Sequence, residues 1–403
     1  MRTRRSAWPL SLLALAVAFI PANAALARIK LITLPPRERV EIQLDNASAT
    51  LVEEERVVPL NKGANQVDFS WANTQIDPST IVFRVIAPVG DKPLDVKVLS
   101  VSYPPNEQSL VWAVGAGDAG SARVRISYLL GNLNKSFNYR AIASRDEKTL
   151  VLSQYIRLQN LTNEEYGATQ IWAGFGKEFL KPIGLNETRE MLVNTSQQVR
   201  VRKTFTASLS EFGWLDQSQQ KLRVPMHYVI KNDTASRLGA AALPYGKVRI
   251  FIAGPAGNET STTFLGEDWG KFTPVDDDMR LYLGVAQDIV VKRTIENNEN
   301  QRIAGNLSNQ NVIVKYEIEN FKDSALTLDI GEDLRQLRNE VRGDSGRDVQ
   351  WELGDATNFE GGPDKQKSTF DKLVLHVYLP ARGADGKSEK FVKKLHVILK
   401  NEW

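Results

Sequence analysis

Leu395, Val397 and Leu399 alternate with His396, Ile398 and Lys400 near the end of the chain, and the same two-residue rhythm recurs through most of its 403 residues. A side-chain period of two sends successive residues to opposite faces of an extended strand, so the pattern calls for half-buried antiparallel sheets. The expected fold is all-β, with helix below about 15% of the chain.

Turn residues cut the pattern into three series. Arg39 to Leu44, Thr50 to Val58, Gln66 to Phe69, Thr80 to Val85 and Leu94 to Val101 are short β-rich runs separated by Asp45-Asn46, Asn61-Lys62-Gly63 and Asp77-Pro78. Longer runs follow at Ala122 to Leu129, Phe137 to Ile142, Thr149 to Leu161, Gln198 to Ala207, Leu222 to Ile230 and Lys247 to Ala253. The last series holds Asn311 to Asn320, Ala325 to Ile330, Lys372 to Leu379 and Phe391 to Leu399. The sequence therefore predicts consecutive antiparallel β-sandwich domains over residues 28–105, 106–298 and 299–403. Gly331-Glu332-Asp333 before Leu334, Leu337 and Val341 suits either a short helix or a loop, and Gly343 to Lys367 has the composition of a long solvated loop.

Residues 1–27 carry a different signal. Arg2, Arg4 and Arg5 precede an apolar stretch from Leu10 to Ile20, and small residues at Ala22-Asn23-Ala24 and Ala25-Leu26-Ala27 mark cleavage sites. The apolar core is shorter than the roughly 20 residues a spanning helix requires. The expectation is a cleaved signal peptide and a mature protein in the periplasm or secreted, with no transmembrane anchor. Removing those three arginines from 51 basic residues leaves 48 against 48 acidic ones, so the mature chain is formally neutral and gives no argument for nucleic acid as a partner. With no cysteine, a disulfide framework, a thiolate metal site and a lipidated cysteine are all excluded. Eight Asn-x-Ser/Thr sequons, among them Asn134, Asn186 and Asn258, read as polar loop composition.

Val224-Pro225-Met226-His227-Tyr228-Val229-Ile230-Lys231-Asn232, Leu243-Pro244-Tyr245-Gly246-Lys247-Val248-Arg249 and Phe264-Leu265-Gly266-Glu267-Asp268 occur in an order that resembles the domain of unknown function 4139 family. The same domain forms the C-terminal half of mucoidy-inhibitor-type bacterial secreted proteins. Phe272-Thr273-Pro274, Leu283 to Ile289, Tyr316 to Asn320, the N-terminal Val52 to Arg56 and Ile76 to Thr80, and the closing Trp403 extend the resemblance over most of the mature chain. The coiled-coil insertion of the longer members is absent. The resemblance implies β-sandwich domains in the envelope or periplasm and brings no accepted catalytic residues.

Each candidate for chemistry has a plain alternative. Gly343-Asp344-Ser345-Gly346 imitates a serine-protease nucleophile loop but lacks that family's histidine motif and second glycine. Arg342-Gly343-Asp344-Ser345 is an adhesion tripeptide followed by serine, and a solvated turn has the same composition. His376 and His396, on polar faces of C-terminal strands, are where cross-strand neighbours share a metal, yet no third ligand is evident. His227 falls inside a strand as a packed or edge residue.

The densest acidic stretch, Glu267, Asp268, Asp276, Asp277 and Asp278, is read as a loop between two strands. Glu267 and Asp268 with Trp269 are candidate binding residues. Asp276, Asp277 and Asp278 are candidate calcium ligands, although their spacing matches no calcium loop. Of Trp71, Trp112, Trp172, Trp214, Trp269 and Trp351, most are expected in cores and some at a sugar-binding groove. No catalytic residues and no cofactor are assigned. The expected function is a non-enzymatic binding or structural component of the cell envelope, with envelope polysaccharide or an envelope protein as partner. The alternatives are a polysaccharide hydrolase using Glu267 and Asp268, and a surface adhesin using Arg342 to Ser345.

Overall fold

The computed structural model describes residues 30–44, 46, 49–172, 178–255, 261–343 and 348–402. The leader and its cleavage sites, the Asp344 to Gly346 motif residues and Trp403 lie outside them. The chain is all-β: 62% is strand and 5% helix, which agrees with the two-residue rhythm. Most strand pairs are antiparallel, but Lys30–Thr33 with Gly63–Ser70, Leu133–Ala143 with Gly246–Ala253, and Arg202–Ser208 with Leu326–Asp333 are parallel. Loops that leave a sheet and re-enter it make such pairs, and local alternation carries no record of them.

The described residues form two compact units, one from residues 30–42 and 49–131 and the other from residues 43, 44 and 46 and the described residues between 132 and 402. The expected cut after residue 105 would separate Val96–Ser102 from Ser109–Ala116, which pair through Val101↔Trp112. The cut after 298 would fall inside the strand Ile289–Ala304, which pairs with Leu307–Asn320 along its length. Neither position is a boundary, because hydrogen-bonded ladders run across both.

In the first unit, one sheet holds Lys30–Thr33, Gly63–Ser70, Ser109–Ala116 and Val96–Ser102 in that order. Arg39–Gln43, Thr50–Leu60, Gly120–Leu130 and Val82–Val89 are hydrogen-bonded neighbours in a second. Phe69 and Trp112 from the first meet Tyr128 and Phe83 from the second, with ring centroids 4.7 to 6.0 Å apart. Of the six tryptophans expected mostly in cores, Trp71 and Trp112 are buried here, Trp214 and Trp351 are partly buried against a core of the second unit, and Trp172 and Trp269 are exposed.

The second unit is built around a central sheet in the order Asp278–Val285, Pro225–Lys231, Arg202–Ser208, Leu326–Asp333, Lys372–Leu379. Its inner face is largely apolar and serves two cores, with Lys203 and Glu332 the charged residues on it, each in an ion pair. Tyr228, Ile230, Met279 and Leu281 pack with Tyr139, Leu150, Leu152, Val248 and Ile250 of a covering sheet ordered Thr188–Arg200, Thr149–Asn160, Leu133–Ala143, Gly246–Ala253, Thr262–Gly270. Phe205, Ala207, Leu328, Ile330, Leu375 and Val377 pack with Val291, Val312, Val314, Leu395 and Val397 of another, built on Ile289–Ala304, Leu307–Asn320 and Lys390–Glu402. The outer face of the central sheet carries the alternate residues of the same strands, and the site described below lies there.

The Leu334 to Val341 segment is a helix, Leu334–Arg342, because Asp333 caps it by accepting from the Gln336 N–H at 2.9 Å while Leu334 and Leu337 are fully buried.

Gly246 makes the closest backbone approach. An added Cβ would stand 2.3 Å from the Phe137 carbonyl oxygen across the parallel ladder. Gly246→Ala should cost roughly 1–3 kcal/mol, at the upper end because backbone rather than a side chain must yield. A chemical melt within a few tenths of a kcal/mol of wild type would refute this.

Candidate functional site

Glu267, Asp268 and Trp269 lie not on a loop but on the strand Thr262–Gly270, paired to Arg249, Val248 and Lys247. Adjacent strand positions face opposite ways, so the two carboxylates are separated. Glu267 turns to the outside and accepts from Lys247 Nζ at 2.8 Å, with Arg249 at 3.8 Å. The Lys247 hydrogen bond, with the charges of Lys247 and Arg249, holds its carboxyl below the usual range. Asp268 turns towards the central sheet, where its Oδ2 accepts from the Tyr282 N–H at 2.7 Å and its Oδ1 from the Trp269 N–H at 2.8 Å. It thereby satisfies an edge donor of the Asp278–Val285 strand.

Trp269 is 49% exposed and lies parallel to Tyr245, itself 56% exposed, with centroids 5.1 Å apart and planes 4° from parallel. Lys247 Nζ stands 5.3 Å from the Trp269 ring centre. This pair borders an open groove of about 760 Å³, lined also by Glu211, Phe212, His227, Asp268, Lys271, Asp278 and Arg280. Ser208 starts the short helix Leu209–Phe212, which brings Phe212 into a stack on Tyr282 at 6.1 Å. Beneath them His227 is 7% exposed, so the packed reading of this histidine holds. Burial first, and the Arg280 charge second, push its pKa down to about 4, and the neutral ring accepts from Arg280 Nη2 through Nδ1 at 3.3 Å.

Asp276 and Asp277 form a turn and Asp278 opens the next strand. Buried Asn232 holds the turn: its N–H donates to Asp277 O at 2.9 Å, its carbonyl accepts from the Asp276 N–H at 2.9 Å, and its Nδ2 reaches Pro274 O at 3.0 Å. The three aspartates do not assemble as calcium ligands. They border a hollow of about 480 Å³ together with Arg200, Arg202 and Lys231, and among the described residues no group of three His, Asp or Glu side chains converges to hold an ion.

The remaining histidines lie in different sheets and are not cross-strand neighbours. His376 Nδ1 faces Asp329 Oδ1 at 2.7 Å and its Nε2 faces Asp364 Oδ2 at 2.8 Å. His396 stands on Lys390–Glu402, where its Nδ1 receives the Ala356 N–H at 3.4 Å. Arg342 ends a helix and Gly343 follows at φ 82°, but the rest of the adhesion-like tetrapeptide is outside the described residues.

The structure thus brings Asp268, Trp269 and Asp278 to one groove and excludes Glu267 from it. Tyr245, Phe212, Glu211, Arg202 and Arg280 were not singled out from the sequence. Alternation alone places Arg202, Thr204 and Thr206 opposite Phe205 and Ala207, but it does not say which strands flank them. Comparison with protein-family models and with curated proteins returns no match for this chain.

Proposed function

We propose that the mature chain is an exported, envelope-associated protein that binds an envelope polysaccharide without turning it over, in keeping with its resemblance to the domain of unknown function 4139 family. The observation carrying this reading is the exposed Tyr245–Trp269 stack at the border of an open groove. Flat apolar rings half open to water are the platform on which the C–H faces of a sugar ring lose water favourably. The leader supports export, and no helix among the described residues is long and apolar enough to cross a membrane.

The carboxylates support binding over hydrolysis. A glycosidase needs two carboxyl groups about 5 to 10 Å apart across the bond, one kept protonated near neutral pH. Glu267 is shifted the other way by its lysine, faces away from Asp268, and Asp268 is engaged by two backbone donors.

Titrating the mature protein with isolated cell-wall and capsular polysaccharides should give saturable binding. Trp269→Ala should weaken it at least tenfold, about 1.4 kcal/mol, with an unchanged circular dichroism spectrum. New reducing ends that vanish in Glu267→Gln would replace this reading with the hydrolase.

A further inference from the structure

Beside the aromatic platform the outer face of the central sheet holds two arginines in a set register. Arg202 pairs with Val229, and Val229 pairs with Arg280 on the next strand. Directly opposed residues share a face, so the two arginines flank Val229 from one strand away on either side, about 10 Å apart at the backbone. Arg202 and Arg280 both line one hollow of about 350 Å³ together with Val229.

Most basic residues nearby are already neutralised. Lys203 pairs with Glu147, Lys372 with Glu211, and Lys367 with Asp329, each within 2.8 Å. Among the described residues no carboxylate pairs with Arg202 or Arg280. Arg280 spends one nitrogen on neutral His227 at 3.3 Å and on Thr206 Oγ1 at 3.5 Å, which fixes its direction and leaves its other donors unused. The same hollow is lined by Thr204, whose buried hydroxyl has no hydrogen-bond partner. A buried hydroxyl without a partner is costly, and a turn about χ1 towards an oxygen bound in the hollow would relieve it.

We infer that Arg202, Arg280 and Thr204 form a clamp for a carboxylate carried by the bound glycan, so that the ligand is an acidic, uronate-bearing polysaccharide. The inference rests on the proposed glycan platform: Arg280 lines both the groove at Trp269 and the hollow at Val229, so one chain of sugars reaches both. Planar guanidinium forks match a planar carboxylate with paired N–H···O bonds. Asp278, Glu211 and Asp329 line the same hollow. Acidic groups interspersed with the arginines suit a ligand of spaced single charges with many hydroxyl donors, and they oppose the dense charge of a nucleic-acid backbone.

The test uses the mature protein and three probes: oligogalacturonate, the same oligosaccharide with its carboxyls reduced to alcohols, and single-stranded DNA. Oligogalacturonate should bind, and more weakly as salt rises. Arg202→Gln and Arg280→Gln should each weaken it at least tenfold, and the reduced oligosaccharide should bind wild type at least tenfold more weakly. Arg237→Gln removes an exposed charge from elsewhere and should change nothing. Thr204→Val separates the clamp from a structural role: it should weaken binding several-fold while leaving the melting temperature of the free protein equal or higher.

Equal affinity for the two oligosaccharides, no oligogalacturonate binding at millimolar concentration, or tighter arginine-dependent binding of DNA would each overturn the clamp. If both oligosaccharides lose affinity in Trp269→Ala but not in the arginine variants, the platform stands and the clamp falls. If oligogalacturonate binding depends on the arginines but not on Trp269, the clamp stands and the platform falls.

Discussion

Replacing Glu332 by alanine is expected to cost about 3–5 kcal/mol, the penalty for stranding a buried charge. Glu332 Oε1 and Oε2 accept from Arg293 Nη2 at 2.6 Å and Nε at 3.0 Å, and the Tyr316 hydroxyl donates to the same carboxylate. Arg293 and Glu332 are each 3% exposed, and Tyr316 is completely buried. Burial by itself would lower the arginine pKa, yet Glu332 raises it overall, so the guanidinium stays charged inside the protein. Burial, reinforced by Glu332, holds the Tyr316 hydroxyl well above its usual value, so it remains a donor.

The half-buried Glu340 accepts from Arg293 Nη1 at 2.8 Å and is too close to solvent to replace Glu332. For a unit of this size the melting temperature should fall by roughly 10 °C. Arg293→Met combined with Glu332→Gln should be milder than Glu332→Ala, since it leaves Tyr316 an acceptor and no fully buried charge, and Glu340, which loses its arginine, is only half-buried. A drop below about 3 °C for Glu332→Ala would show that the ion pair compensates nothing.

Acidification should act through His227. In the folded protein this ring resists protonation down to about pH 4, whereas unfolded chain takes up the proton near the ordinary value of 6.5. Between those values the unfolded state binds more protons, so stability falls as pH is lowered through the window and is fully present above it. A difference of about 2.5 pKa units corresponds to about 3 kcal/mol. Carboxylates that hydrogen bonds hold low lose their contribution only at lower pH. Examples are Asp364, through His376, and Glu267, through Lys247. Melting curves from pH 7 to 4.5 should show a slope in wild type that is largely absent in His227→Gln. Parallel curves would assign the acid sensitivity elsewhere.

The β class was legible because alternation is local: Leu326 to Ile330 or Leu395 to Leu399 state which face is buried without reference to any partner. Partnership was not. The single β run expected from Gln198 to Ala207 divides at Val201 between Thr188–Arg200 and Arg202–Ser208, which belong to different sheets. Gln198 at φ 53° marks the distortion that precedes the crossing. For the same reason Trp269 and Asp268 were recognisable as candidates, while Tyr245 and Arg280 were not, since they become neighbours only when the strands Gly246–Ala253 and Asp278–Val285 take their places in separate sheets. The aspartate turn looked like a cation site because sequence shows charge and not the Arg200, Arg202 and Lys231 folded against it.

The central sheet of the second unit seals two cores with one surface, and this sets how the unit comes apart. Tyr228 and Ile230 close one core, Phe205 and Leu328 the other, on neighbouring hydrogen-bonded strands. Frayed pairing between Arg202–Ser208 and Pro225–Lys231 would expose apolar side chains on both sides of the break at once. Partial opening is therefore penalised twice, and residues 132–403 should unfold as one cooperative block. The outer face of that sheet inherits the stiffness, so the arginines on it are held apart by a scaffold that resists local opening.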